Sequence, residues 1–260
     1  MESPQLAAQF ADYLEFLRVL ERQGADVLVV GGQAVNFWAE VFRDQEPELS
    51  RFEPFTSADL DLLRPDLIAN QALRSQAVRR EPERDPFGKA FTIVSETILI
   101  QGKGSRMLAV DSLKMVAGLR HKEAEEGSVL AEFAGVPVRV LNPIVCLKAK
   151  LHNLGALDQH GRQDERHVRI SVLCTRAFIR RLLLEGASGG NWRPVLNALK
   201  QTMLCTSRPS VLRLAAARSL DLAQAIPVRE IHCSSEPKIV KFAVHQLPKW
   251  RSALAAPRAT

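Results

Sequence analysis

The stretch Val27-Leu28-Val29-Val30-Gly31-Gly32-Gln33-Ala34-Val35, continuing to Phe42, decides how this chain is read. Its first four residues form a short, continuous apolar run of strand length. Gly31-Gly32 interrupts the run, and Gln33 to Phe42 resume a helical pattern, so the unit is strand, glycine turn, helix. Such a turn sets backbone N–H groups and the positive end of a helix where a phosphate can be held. Taken alone, a Gly-Gly pair is more often an ordinary tight turn.

Upstream, Leu6, Phe10, Tyr13, Leu14, Leu17 and Leu20 recur at helical spacing, and Gly24 closes this lead helix as a C′ glycine. Downstream, residues 43–56 are charged and aromatic without periodicity and read as a surface loop ending at a strand, Asp59 to Leu63. Within that strand Asp59-Leu60-Asp61 puts two carboxylates on one face, because strand side chains alternate with period two. A hard divalent cation, Mg²⁺ or Mn²⁺, relieves their repulsion when a triphosphate supplies the other oxygens. With 11 Asp in 260 residues, chance alone supplies roughly half of one such pair per chain, so the glycine turn beside it carries much of the reading.

Further along, Pro65 opens a helix reaching about Arg79. Ala90–Val94 with Thr97–Gln101 read as a hairpin, Met107–Val110 as a strand ending at Asp111, and Ser112–Leu119 as a helix. Val129–Phe133 and Val136–Leu141 form a second hairpin around Ala134-Gly135. Beyond Asn142-Pro143 strand signals stop: Ile144–Leu154, Asp164–Glu185, Trp192–Leu204 and Val211–Ala225 are helical by pattern. The expected class is α+β, with a mixed sheet flanked by helices over residues 1–141 and a mainly helical part over 142–260. Residues 249–260 are expected to be a flexible tail.

Charge divides at the same place. Residues 1–141 hold 16 Lys+Arg against 22 Asp+Glu, a net −6; residues 142–260 hold 19 against 7, a net +12. An acidic half suited to metal beside a basic half suited to a phosphate-rich partner points to nucleic acid; a solvated basic surface is the plainer alternative. A composition of 46% hydrophobic and 25% charged residues excludes a disordered or fibrous chain. No leader pattern opens the sequence and no run of about 18 apolar residues occurs, so a cytoplasmic protein without membrane contact is expected. Cys146, Cys174, Cys205 and Cys233 are too dispersed for a zinc ribbon and read as reduced thiols, mostly in the core. His152, His160 and His167 fit no zinc spacing and read as surface or substrate-contact residues at most.

The order of Val29-Val30-Gly31-Gly32-Gln33-Ala34-Val35 and Thr56-Ser57-Ala58-Asp59-Leu60-Asp61-Leu62 resembles the two-part signature of polymerase-β-like nucleotidyltransferases, closest to the branch of AbiEii-type toxins. The hydroxyl two before the first Asp is matched by Ser57, whereas Phe55 stands where that branch often has Arg. The resemblance extends to Pro143–Leu151 and to Gly161-Arg162-Gln163-Asp164-Glu165-Arg166-His167, with Gln163 in place of a Lys and His167 where an Asp is common. It implies a third carboxylate near the pair, for which Asp111 is the candidate; the alternative is that Asp111 caps a helix starting at Ser112. It also implies a phosphate-neutralising Lys on the helix, Lys150 or, shifted by two, Lys148, with a solvated helical Lys as the alternative.

The expected function is transfer of a nucleoside monophosphate from an NTP to an acceptor hydroxyl. Asp59, Asp61 and Asp111 serve metal and catalysis; Gly31, Gly32, Ser57, Lys150 and Lys148 serve the nucleotide; Asp164 and Arg162 support them. RNA or tRNA is the expected acceptor, with a protein hydroxyl or a small molecule as the alternatives, and the branch implies a toxin with an antitoxin partner. A non-catalytic protein that binds nucleic acid or a partner on the same scaffold is the rival reading.

Overall fold

The computed structural model describes residues 7–63, 77–80, 93–102 and 106–255. The chain begins with a two-residue strand β1 (Ala8–Gln9), a 3₁₀ turn and helix α1 (Leu14–Arg22), which ends at Gly24 with φ +64°. Strand β2 (Leu28–Val30) runs directly into α2 (Gly31–Phe42). Then come a 3₁₀ segment Pro47–Phe52, β3 (Thr56–Ser57), β4 (Asp59–Leu63), β5 (Ala77–Arg80), β6 (Val94–Gln101) and β7 (Met107–Leu113). A short helix α3 (His121–Glu126) precedes the hairpin β8 (Ser128–Phe133) and β9 (Val136–Leu141). Helices α4 (Pro143–Ala156), α5 (Asp164–Gly189), α6 (Arg193–Thr206) and α7 (Pro209–Ala217) follow. The described chain closes with α8 (Val228–His232), α9 (Pro237–His245) and α10 (Leu247–Ala255).

Among the described residues, seven strands form one mixed sheet in the order β5-β6-β7-β4-β2-β9-β8. The pairs β4/β7 and β2/β9 are parallel and the rest antiparallel, while β1 and β3 pair separately. This is the expected α+β arrangement, a mixed sheet flanked by helices and followed by a helical part. The central strands explain their own sequence: Leu28, Val29 and Val30 of β2 and Leu60 and Leu62 of β4 are buried, as strands covered on both faces must be.

Helix α2 lies between the sheet and the C-terminal helices, so most of its circumference is apolar. Ala34, Val35, Phe37, Trp38, Ala39 and Phe42 are all buried. Trp38 donates its indole N–H to the Leu141 carbonyl at 2.6 Å, fastening α2 to the end of β9. The core under the sheet also takes Cys146 and Ala149 from α4 and Ile170, Leu173 and Cys174 from α5, while two further clusters fill the helical part. No described helix is long and apolar enough to cross a membrane. Cys146, Cys174 and Cys205 are buried and Cys233 is exposed.

Several local expectations are corrected. Residues 64–76, most of the helix expected from Pro65, lie outside the described residues, but its far end is strand β5, paired with β6. Thr97–Gln101 pairs with Met107–Asp111 and with β5; of the expected partner strand from Ala90, residues 90–92 lie outside the described set. Ser112 and Leu113 belong to β7, where they pair with Leu62 and Leu63 of β4, and no helix covers 112–119. Asp111 is therefore a mid-strand residue and caps nothing. Finally, Leu247–Ala255 is helix with Trp250 buried in the region expected to be a tail; 256–260 lie outside the described residues.

Candidate metal and nucleotide site

A single row across four strands builds the acidic centre. Val30 pairs with Asp61, Asp61 with Asp111, and Asp111 with Thr97. Residues in register share a face, so the side chains of Asp61, Asp111 and Thr97 converge, and Asp59 joins them two residues along β4. Asp59, Asp61 and Asp111 each offer a carboxylate oxygen, and these oxygens lie within 4.8 Å of one another. An all-oxygen set at this spacing can hold a metal ion, and oxygen donors are those that hard divalent cations take.

Electrostatics agree with that use. Asp61 is pushed well above the usual carboxylate range by burial, then by the charges of Asp59 and Asp111; the Gly32 N–H and Lys150 offset this in part. Burial also raises Asp59, against Lys150, Arg162 and the Ser57 hydroxyl. Asp111 rises to about 6, again by burial, although Thr97 donates to it at 2.6 Å. Three carboxylates that resist ionising together are what a bound cation would relieve.

Gly31 is required here by space as well as by backbone. Its φ is +64°, and a Cβ at this position would stand 1.7 Å from the Asp61 Oδ2. Because Gly31 follows Val30, which faces Asp61 in the sheet, the glycine opens the slot into which that carboxylate fits. Gly31→Ala is therefore expected to displace Asp61 and weaken Mn²⁺ binding by about tenfold or more, the range seen when groups supporting a metal ligand are lost. Native Mn²⁺ affinity in the variant, measured by titration calorimetry, would contradict this role.

Gly32 does a different job. A Cβ there would meet the Ser57 Oγ at 2.4 Å and the His167 Cε1 at 3.0 Å. Ser57 is buried on β3, beside the N-terminal turn of α2, where no side chain caps the helix. The Gly32 N–H at this end bonds to Asp61 and the Ser57 hydroxyl to Asp59, so the helix start and the three aspartates share one neighbourhood.

On the other side stands a buried ion pair. Lys150 donates to Asp164 at 2.9 Å, and Arg162 donates to the second oxygen of Asp164 at 2.6 Å. Burial opposes the Asp164 charge, yet Lys150 and Arg162 hold the group below the ordinary range. Lys150 also acts electrostatically on Asp59 and Asp61, so it faces the acidic centre. Lys148 does not: it is paired with Glu123 and lines two cavities of about 530 and 440 Å³ whose walls include none of the three aspartates. The two lysines sit on different faces because two helical residues span about 200°.

Two groups in the neighbourhood, Thr97 and Tyr13, carry no site signal in the sequence, and a third, His167, lies deeper than its surface alternative. Thr97 carries no motif and is found only through its pairing with Asp111. Tyr13, with its hydroxyl buried and unpartnered, is raised by burial and then by Asp59. His167, expected as a surface or substrate-contact residue, is 3% exposed and so does not lie at the surface, while His152 and His160 are exposed. Burial, then Lys150 and Arg166, push His167 down to about 3, so it is neutral at physiological pH.

No family model matches this chain, and no curated protein matches its sequence. Among solved structures, an antigenic nucleotidyltransferase-like protein from Paracoccidioides brasiliensis matches with a TM-score of 0.42 and 14% identity, over 64% of this chain and 78% of that one.

Proposed function

We propose that this protein is a divalent-metal-dependent nucleotidyltransferase, moving a nucleoside monophosphate from an NTP to an acceptor hydroxyl. The observation that carries the reading is the Asp59, Asp61 and Asp111 cluster beside the Gly31-Gly32 entry to α2. A divalent cation, when bound, supplies positive charge to the triphosphate and to the attacking and departing oxygens. The chain's own groups do the rest. Asp59, Asp61 and Asp111 hold the cation, and the N–H groups of the glycine turn, with Ser57 and Lys150, hold phosphate oxygens. Asp164 keeps Lys150 extended towards them, with Arg162 at the rim.

In the transfer, the acceptor oxygen bonds to the α-phosphorus, the bond to the pyrophosphate oxygen breaks, and the hydroxyl proton passes to a carboxylate. Asp111 is the group we assign to that proton, since it stands in register with Asp61 and its carboxylate belongs to the same cluster.

An RNA acceptor, such as a tRNA end, fits the basic helical part of residues 142–260. Many of its cations are committed: Arg176 and Arg180 to Glu46, Arg169 and Arg218 to Glu165. Arg193, Lys200, Arg208, Arg213 and Lys241, however, form no ion pair among the described residues. They are the candidates for phosphate contacts, and binding through them is expected to weaken steeply with salt. A toxin of the AbiEii kind, held in check by an antitoxin, is the physiological setting that the sequence resemblance favours.

The test is incubation of the protein with Mg²⁺, each labelled NTP and total cellular RNA. Label entering RNA supports the proposal and names the donor; label in protein keeps the chemistry and changes the acceptor. Nucleotide or RNA binding indifferent to metal, with no transfer, would instead favour a binding module.

A further inference from the structure

The first turn of α5 holds the nucleotide turn from behind. Arg166 reaches back to donate to the backbone carbonyls of Phe52 and of Pro54, the latter at 2.5 Å, and its other nitrogen donates to Gln163 at 2.8 Å. These carbonyls belong to the segment that leads into Thr56-Ser57, so the helix fixes the path on which Ser57 sits. Next to Arg166, His167 closes on Gly32: its Cε1 and the Ser57 Oγ are the two groups that a Cβ on Gly32 would strike.

This imidazole is an anomaly. Both ring nitrogens are shielded from solvent, and neither has a hydrogen-bond partner of normal geometry, with the Thr56 backbone only a marginal contact. Burying a polar ring without partners is unfavourable, and a leucine of similar volume would avoid that cost. A buried group kept in this condition needs a reason. Packing alone does not supply one, because an apolar side chain packs as well.

We propose that His167 is a positioning residue for nucleotide binding, an uncharged polar buttress that orients Ser57 and the Gly32 N–H towards the triphosphate. The inference rests on the nucleotidyltransferase reading and deepens it by naming what prepares the phosphate-binding turn. Ser57 has a single hydroxyl proton, and Asp59 draws on it in the structure described. Once Asp59 is engaged with a cation, that proton is available to a phosphate oxygen. A ring N–H of His167, without a partner in the structure described, then donates to the Ser57 Oγ and so fixes the rotamer in which Ser57 offers its own proton. A neutral ring suits the place, since Lys150 and Arg166 already supply two positive charges nearby.

The experiment compares the native chain with His167→Leu and His167→Gln. Each is titrated with Mn²⁺ alone and then, in saturating Mn²⁺, with each of the four ribonucleoside triphosphates; the unfolding temperature is recorded beside each titration. His167→Leu is expected to hold Mn²⁺ as the native chain does but to bind the triphosphate about tenfold more weakly, the equivalent of losing one well-made hydrogen bond. His167→Gln, which keeps an uncharged polar end, is expected to recover most of that loss. Equal triphosphate affinity in all three proteins overturns the inference while leaving the nucleotidyltransferase reading intact. So does a parallel fall in Mn²⁺ affinity, triphosphate affinity and unfolding temperature, the mark of a merely structural residue. A native chain that binds Mn²⁺ but no triphosphate overturns both.

Discussion

The double variant Asp59→Ala/Asp61→Ala is expected to fold, to show none of the nucleotidyl transfer proposed for the native protein, and to gain none of the thermal stabilisation expected there from Mg²⁺. The argument joins geometry to linkage. Asp59, Asp61 and Asp111 all have raised pKa values, so each prefers its proton more in the folded chain than in the unfolded one. A raised carboxylate favours the folded state fully below its unfolded pKa, near 4, and that contribution is lost as pH rises through the folded value. For Asp111 the window runs from about 4 to about 6 and involves up to about 3 kcal/mol. Other carboxylates act in the opposite sense: Asp164, Glu48 and Glu123 are lowered and stabilise the fold as pH rises.

The diagnostic quantity is therefore the difference between curves with and without Mg²⁺. That difference is expected to be small at pH 5, large at pH 7.5, and absent at both in the double variant. Thermal unfolding across this range, run beside the transfer assay, checks all of it. A double variant that kept either the Mg²⁺ shift or the transfer would remove the aspartates from the site.

The second large effect is expected at Glu46. This carboxylate is 1% exposed and receives Arg176 through Nε and Nη2, the latter at 2.5 Å, while Arg180 reaches it through Nη1. Arg176 also binds Glu48, and Arg180 binds Glu230. Glu46→Ala leaves two guanidinium groups facing a desolvated gap, and removal of one partner from such a pair costs about 3–5 kcal/mol. In a chain of this size that lowers the unfolding temperature by roughly 10 °C. Chemical denaturation should show the same loss, with Glu46→Gln intermediate because the amide oxygen still accepts. A loss under about 1 kcal/mol would show that solvent reaches the cluster and screens it.

The parts of the fold legible in the sequence were those in which local pattern and tertiary setting agree. Asp59–Leu63 is a strand with the expected bounds, and Val136–Leu141 pairs with its neighbour around Ala134-Gly135, where both residues have positive φ. Ser112 and Leu113 were misjudged because their strand character comes from pairing with β4, an interaction remote in sequence. The short helix His121–Glu126 buries only Ala124, so it has no apolar period to reveal it. Pro227, Pro237 and Pro248 break the last third of the chain into short helices that bury one, three and two residues.

At the site, the paired aspartates and glycines were visible because alternation and backbone freedom are local properties. Lys150 was preferred to Lys148 by the resemblance alone, since the two differ only in helix face, which local pattern does not orient. The burial of His167 was equally hidden: nothing in Arg166-His167-Val168 says that this turn of helix will press against Gly32 from more than a hundred residues away.

That wide separation has a consequence for synthesis on the ribosome. Trp38 is anchored to Leu141, 103 residues further on, and β2 finds its parallel neighbour only in β9. Contacts so distant in sequence form slowly, and none can form until the later segment has emerged. The nascent chain thus carries its three aspartates into solution well before Lys150 and His167 exist to complete the pocket. On the proposed function, transfer could begin only after most of the chain has been translated.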